Sequence, residues 1–220
     1  MRKLLLTLLG ISVLFVLCGF SFDINDDYSN FDLNNLNDYI KQYETEELEV
    51  CAVSSAKTYM DYRATNLVSS RQYQFIHNNL SVDKKTGFLY DEDGFIAVAL
   101  GSYYGTIGDR YYFTLDSGVV LPLVKAEEKA DEDTDYSGCY QRYDKSIMEF
   151  VIDTDYAISY FGRGGNGLIL NGNYNNYSLF NGDIVRVERV LDEYNENLVT
   201  YSINPINNSS DDIFNYASGY

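Results

Sequence analysis

From residue 50 onward, apolar and polar positions alternate with the two-residue period of half-buried strands. In TYMDYRAT (58–65), Met60, Tyr62 and Ala64 fall on one side and Asp61 and Arg63 on the other. GFLYDEDGFIAVAL (87–100) reads as two apolar runs joined by a turn at 91–94, and RYYFTLDSGVVLPLVKA (110–126) as a hairpin turning at 116–118. SIMEFVID (146–153) and DIVRVERVL (183–191) complete the set of strands. Upstream the period changes. Leu33, Leu36, Ile40 and Tyr43 recur at helical spacing behind Asn30 or Asp32 as a cap, which predicts an amphipathic helix near 32–48. The Gly- and Asn-rich stretch 160–182 predicts a flexible loop bordering a cleft, and its glycines lack the strand–turn–helix context of a phosphate loop.

The expected organisation is therefore mainly β. A leader or anchor (1–22) and a helical spacer (23–49) precede a small closed β-barrel (50–192), and a polar, poorly ordered tail (193–220) follows it. The chain of 220 residues, 45% of them apolar, suffices for one such core. The leader is the clearest single signal. Arg2-Lys3 stand before the charge-free run 4–22, the pattern of an export signal, long enough to act alternatively as a membrane anchor.

Charge narrows the partners. Sixteen basic against 33 acidic residues give a net charge of −17, a field that repels nucleic acid and anionic membrane. Contact with a membrane is thus expected only through the N-terminal segment. Beyond Cys18 in the leader, Cys51 and Cys139 form a disulfide in an oxidising compartment or stay as free thiols. His77 is the only histidine, which argues against a zinc site and against a cysteine–histidine nucleophile. No cofactor and no metal is expected.

The segment order FIAVAL (95–100), GSYYGTIGDRYYFTL (101–115), VVLPLVKAEEKADEDTD (119–135) and KSIMEFVID (145–153) resembles a double-psi β-barrel. The similar families are the three-aspartate (3D) domains, RlpA-like proteins and the barrels of membrane-bound lytic transglycosylases. Ile107-Gly108-Asp109 resembles their Gly-Thr turn, and Ala130, Asp131, Asp133 and Thr134 resemble their Ala-x-Asp-Thr element. The resemblance implies a six-stranded closed barrel over roughly 50–192. It further implies Asp133, Asp131 and Glu149 as candidate catalytic carboxylates acting on peptidoglycan glycan strands. Leu100 stands where the three-aspartate pattern carries an acid, and Glu149 where it carries a third aspartate.

The residues themselves leave three readings of EEKADEDTD (127–135) open. Crowded carboxylates raise one pKa, as a glycosidic acid/base requires, and an extended 131–135 would point Asp131, Asp133 and Asp135 to one side. The same Asp-x-Asp-x-Asp spacing offers oxygens to calcium, although Tyr136 and Arg142 occupy the EF-hand positions that need Gly and Glu. The third reading is a solvated turn. The 22 tyrosines, GSYYG (101–105) among them, fit either sugar stacking or ordinary strand packing. Two functions follow: a cell-envelope enzyme with an aspartate acid/base, or a non-catalytic module that binds wall glycan or an envelope protein. For both, cell fractionation is expected to find the protein outside the cytoplasm. A soluble cytoplasmic protein with its N-terminus intact would contradict the export signal.

Overall fold

The computed structural model describes Leu36, Lys41 and residues 43–52, 54–162 and 172–194. The export run 4–22, most of the segment 32–42, residues 163–171 and the tail from 195 lie outside the described residues. Among the described residues, nine strands and two α-helices follow one another: β1 (Tyr43–Leu48), β2 (Lys57–Asp61), α1 (Arg71–Asn79), β3 (Ser81–Val82), β4 (Leu89–Tyr90), β5 (Ile96–Leu100), β6 (Arg110–Leu115), β7 (Val120–Glu128), β8 (Met148–Ile152), α2 (Thr154–Phe161) and β9 (Ile184–Tyr194).

They build one mixed sheet in the order β1-β9-β6-β7-β5-β4-β3, with β8 joining β5 to β2. The β5–β7 and β2–β8 pairs are parallel and the others antiparallel. The sheet is open, which overturns the closed six-stranded double-psi-like barrel expected from the segment order. Closure requires two neighbours for every strand. Among the described residues, β1 pairs only with β9 and β2 only with β8. The outer edge of β1 carries exposed Glu44, Glu46 and Glu47, charges that discourage further pairing. The start of β2 is occupied instead by a side chain, the Lys57 N–H donating to Asn173 Oδ1 at 3.1 Å.

The central strand explains the two-sided core. Ile96, Val98 and Leu100 of β5 enter one apolar cluster and Ala97 and Ala99 the other, so its unbroken apolar run is buried on both faces. On the first face Phe88, Phe150, Tyr174 and Phe180 pack with ring centroids 5.0–5.9 Å apart. The second face is covered by α1, which buries Ile76 beside Phe95, Tyr112 and Val124.

Local chemistry starts both helices. Ser70 Oγ accepts from the Tyr73 N–H, and the Asp153 carboxylate accepts from the Asp155 and Tyr156 N–H groups. Asp153 also receives the Arg63 guanidinium at 2.7 Å, which ties α2 to the end of β2. Two expectations change here. Residues 43–48 are strand β1 rather than the end of a helix, because pairing with β9 overrides the helical preference of a Glu-rich stretch. The segment expected to be a flexible loop begins with the last residues of α2 and ends in two 3-10 turns, Tyr174–Asn176 and Ser178–Phe180.

Phe88→Ala should cost about 3–5 kcal/mol of unfolding free energy, since its ring meets Phe150, Phe161, Tyr174 and Phe180 at centroid distances of 5.0–5.8 Å. Val185→Ala, at an exposed site on β9, should stay within about 0.5 kcal/mol. Chemical denaturation of the two variants checks both values.

Candidate functional site

The acidic segment leaves the sheet at the end of β7 and returns at β8. Its base is closed by Lys129, whose backbone N–H donates to the Leu100 carbonyl at 3.0 Å. The buried Lys129 ammonium donates to Ser146 O and Oγ at 3.2 Å each and lies 3.5 Å from the Glu149 carboxylate. Burial pulls its pKa down, against the opposing field of Glu149 and Asp144. Beside this clamp, Lys125 Nζ, wholly buried, binds Gly101 O at 2.9 Å, Gly105 O at 2.8 Å and the Glu128 carboxylate at 2.9 Å. The turn after β5 is thereby fixed to β7.

Above the base, residues 133–142 fold back on themselves. Asp135 N–H donates to Tyr140 O and Arg142 N–H to Asp133 O, both at 2.9 Å, and Thr134 bridges Gln141. Asp135 is the organiser. Its carboxylate accepts from the N–H groups of Ser137 (3.0 Å), Cys139 (2.6 Å) and Tyr140 (3.0 Å), and from the Ser137 hydroxyl. Partial burial opposes ionisation, but these donors outweigh it and hold the carboxyl down at about 2.

Cys139 is fully buried and disulfide-bonded to Cys51, with Cα atoms 6.4 Å apart, inside the usual range for such a bridge. The Tyr104 hydroxyl lies 3.4 Å from Cys51 Sγ and 3.3 Å from Cys139 Sγ. The fit is close enough that a Cβ on Gly101 would stand 1.9 Å from the Gly138 carbonyl oxygen. Only glycine admits that approach.

Among charged side chains, this framework presents two aromatic rings to solvent. Tyr136 is fully exposed, and Tyr143 is 85% exposed. A cavity of about 370 Å³ opens beside Tyr136, lined by Ser102, Asp131, Asp135, Ser137 and Arg142 among others. Ser102 Oγ donates to Asp131 at 2.8 Å, and the Arg142 guanidinium donates to the Glu132 carbonyl.

The candidate carboxylates thus occupy separate settings. Asp131 lines the cavity, bonded to Ser102. Asp133 is exposed in the turn 131–133, its backbone holding Arg142. Glu149 sits on β8, half-buried, opposite Ala99 of β5 and Thr58 of β2, and faces Lys129. β7 and β8 flank β5 on opposite sides, so Glu149 is not on the strand next to the one that leads into Asp133. Residues 131–133 form a turn before Thr134 bridges Gln141, so the odd-numbered aspartates do not share one side by strand alternation. Among the described residues, no group of three or more His, Cys, Asp or Glu is arranged to hold a metal ion. His77, in the last turn of α1, stacks on Tyr73 with centroids 4.0 Å apart.

Sequence reasoning placed Asp135 only among three aligned carboxylates and Arg142 only at a failed EF-hand position, and it missed the role of Ser102 and the exposure of Tyr136 and Tyr143. The one local signal was Asp135-Tyr-Ser-Gly, an aspartate followed by turn formers. Comparison of the chain with family models, curated proteins and solved structures finds no match.

The depressed pKa of Asp135 makes a test. Its stabilising contribution is fully present above the ordinary aspartate value near 4 and is lost as pH falls through about 2. Asp135→Ala should therefore lower Tm at neutral pH, and the gap from wild type should close in acid. A gap that persists unchanged at about pH 2 would mean the carboxylate bonds do not hold the loop.

Proposed function

We propose that this protein is an exported cell-envelope module that binds a wall glycan, without cleaving it, through the loop 129–146. The observation that carries this reading is the pair of exposed rings, Tyr136 and Tyr143, on a loop fastened by a disulfide, a carboxylate knot and a lysine clamp. Rings left in water on a rigid support are poised to stack on an apolar face, and sugar rings offer such faces through their C–H groups. Rigidity lowers the ordering cost of binding. The carboxylate of Asp131 and the guanidinium of Arg142, at the cavity beside Tyr136, suit the hydroxyls of a glycan.

The bond between Cys51 and Cys139 fits an oxidising compartment and so supports export behind the 4–22 run. The acid/base reading has less support. Asp131 is engaged by Ser102 and Glu149 by Lys129, while Asp133 stands in an exposed turn.

Sedimentation with insoluble peptidoglycan tests the proposal. Tyr136→Ala and Tyr143→Ala should each weaken binding about tenfold, about 1.4 kcal/mol. Tm should barely change, because neither ring is packed. Wild-type binding by both variants would remove the reading. Release of soluble sugar fragments, abolished by Asp133→Asn, would replace it with the catalytic one.

A further inference from the structure

On the opposite flank of the sheet from β1, a lysine is buried without an ion pair. Lys57 opens β2 with no exposed surface, and among the described residues it forms no salt bridge. Its ammonium is met by three neutral oxygens: Gly182 O at 2.7 Å, Ser55 O at 3.0 Å and Asn175 Oδ1 at 3.3 Å. The amide carbon of Asn175 lies one C=O bond, about 1.2 Å, from that last oxygen. Asn175 Oδ1 also accepts the Gly182 N–H at 3.0 Å, and the Asn175 backbone is held by the Asn173 side chain and the Asn181 amide, both at 3.0 Å. A buried amine and a polarised carboxamide are thus fixed against one another, next to the buried rings of Tyr174 and Phe180.

We propose that Lys57 and Asn175 join in an intramolecular isopeptide bond, with Lys57 Nζ as nucleophile and the Asn175 carboxamide as acyl donor. The amine must first be neutral. Burial lowers Lys57 to about 8, with the Asp183 and Asp116 carboxylates opposing the shift, so about one molecule in ten carries the free amine at pH 7. The Nζ lone pair then forms a bond to Cγ while the carbonyl π pair moves onto Oδ1. The Gly182 N–H already points at that oxygen and stabilises the charge it acquires. The C–N bond to Nδ2 breaks with its electron pair as the carbonyl reforms. Nδ2 takes up the proton that Nζ gives up as the new bond forms, and leaves as ammonia. The balance is amine plus carboxamide to secondary amide plus ammonia. No oxidant, metal or water is consumed, and fixed positioning supplies the rate that free reactants lack.

The bond would close a covalent ring across 118 positions of the chain, independent of the Cys51–Cys139 ring across 88. Tandem mass spectrometry of proteolytic peptides from the full chain, held at about pH 9 to free the amine, tests the proposal. The expected result is a joined peptide pair, linked at 57 and 175, with the mass of one ammonia (about 17 Da) missing from the sum. Asn175→Asp should give the same pair short of one water, about 18 Da, and Lys57→Met and Asn175→Ala should give separate peptides. The wild-type result decides whether or not the variants fold. Separate, unmodified peptides carrying Lys57 and Asn175 after that incubation would overturn the proposal, leaving a structural lysine only.

Discussion

Strand β5 must satisfy hydrogen bonding on both edges and packing on both faces, and the rest of the molecule is arranged around that requirement. Its parallel partner β7 lies on one side, and the antiparallel β8 with the short β4 lies on the other. A strand in this position tolerates neither charge nor water, which is why IAVAL is apolar at every residue. The acidic loop inherits its place from the same strand. It leaves from the far end of β7 and re-enters through β8, so its two feet are held apart by the width of β5 and closed across it by Lys129.

Although the chain is acidic, half of the six buried charged side chains among the described residues are lysines. Lys57, Lys125 and Lys129 all lie inside, and each ammonium is met by main-chain carbonyl oxygens. Carbonyl dipoles can be supplied wherever the chain turns, without burying a further ion, so a compact ammonium on a long stem can stitch a turn to a strand. Where an acid is buried it acts in the complementary way. Asp91 receives Arg110 at 2.7 Å and the N–H groups of Asp93 and Phe95, and so fixes the turn between β4 and β5. These polar fastenings determine loop shape, while the aromatic clusters determine that there is a core at all.

The strand positions were legible because alternation and turn residues are local signals. The turn at 91–94, the hairpin at 116–118 and the strand of SIMEFVID all appear where the pattern put them. What was not legible was pairing. Alternation says that a strand has two faces, but not which strands adjoin it, and the barrel resemblance supplied a closure that β1 and β2 do not make. α1 escaped notice because RQYQFIHNN is largely polar and fully buries only Ile76. At the candidate site, EEKADEDTD marked an acidic loop, but the fold of that loop depends on Asp135, on Gly101 against Gly138, and on a disulfide to residue 51. Two of those three contacts join residues distant in sequence.

The pairing of β1 with β9 has a kinetic consequence. Residues 43–48 find their partners only at 187–194, and β2 finds its own at 148–152. A chain emerging from its N-terminus therefore displays both strands long before either can be satisfied, and contacts of this sequence separation form slowly. The early part of the chain stays extended and threadable until nearly all of the domain has appeared. Under the proposed export route, that delay keeps the polypeptide in the state a translocation channel accepts, and folding is completed on the far side.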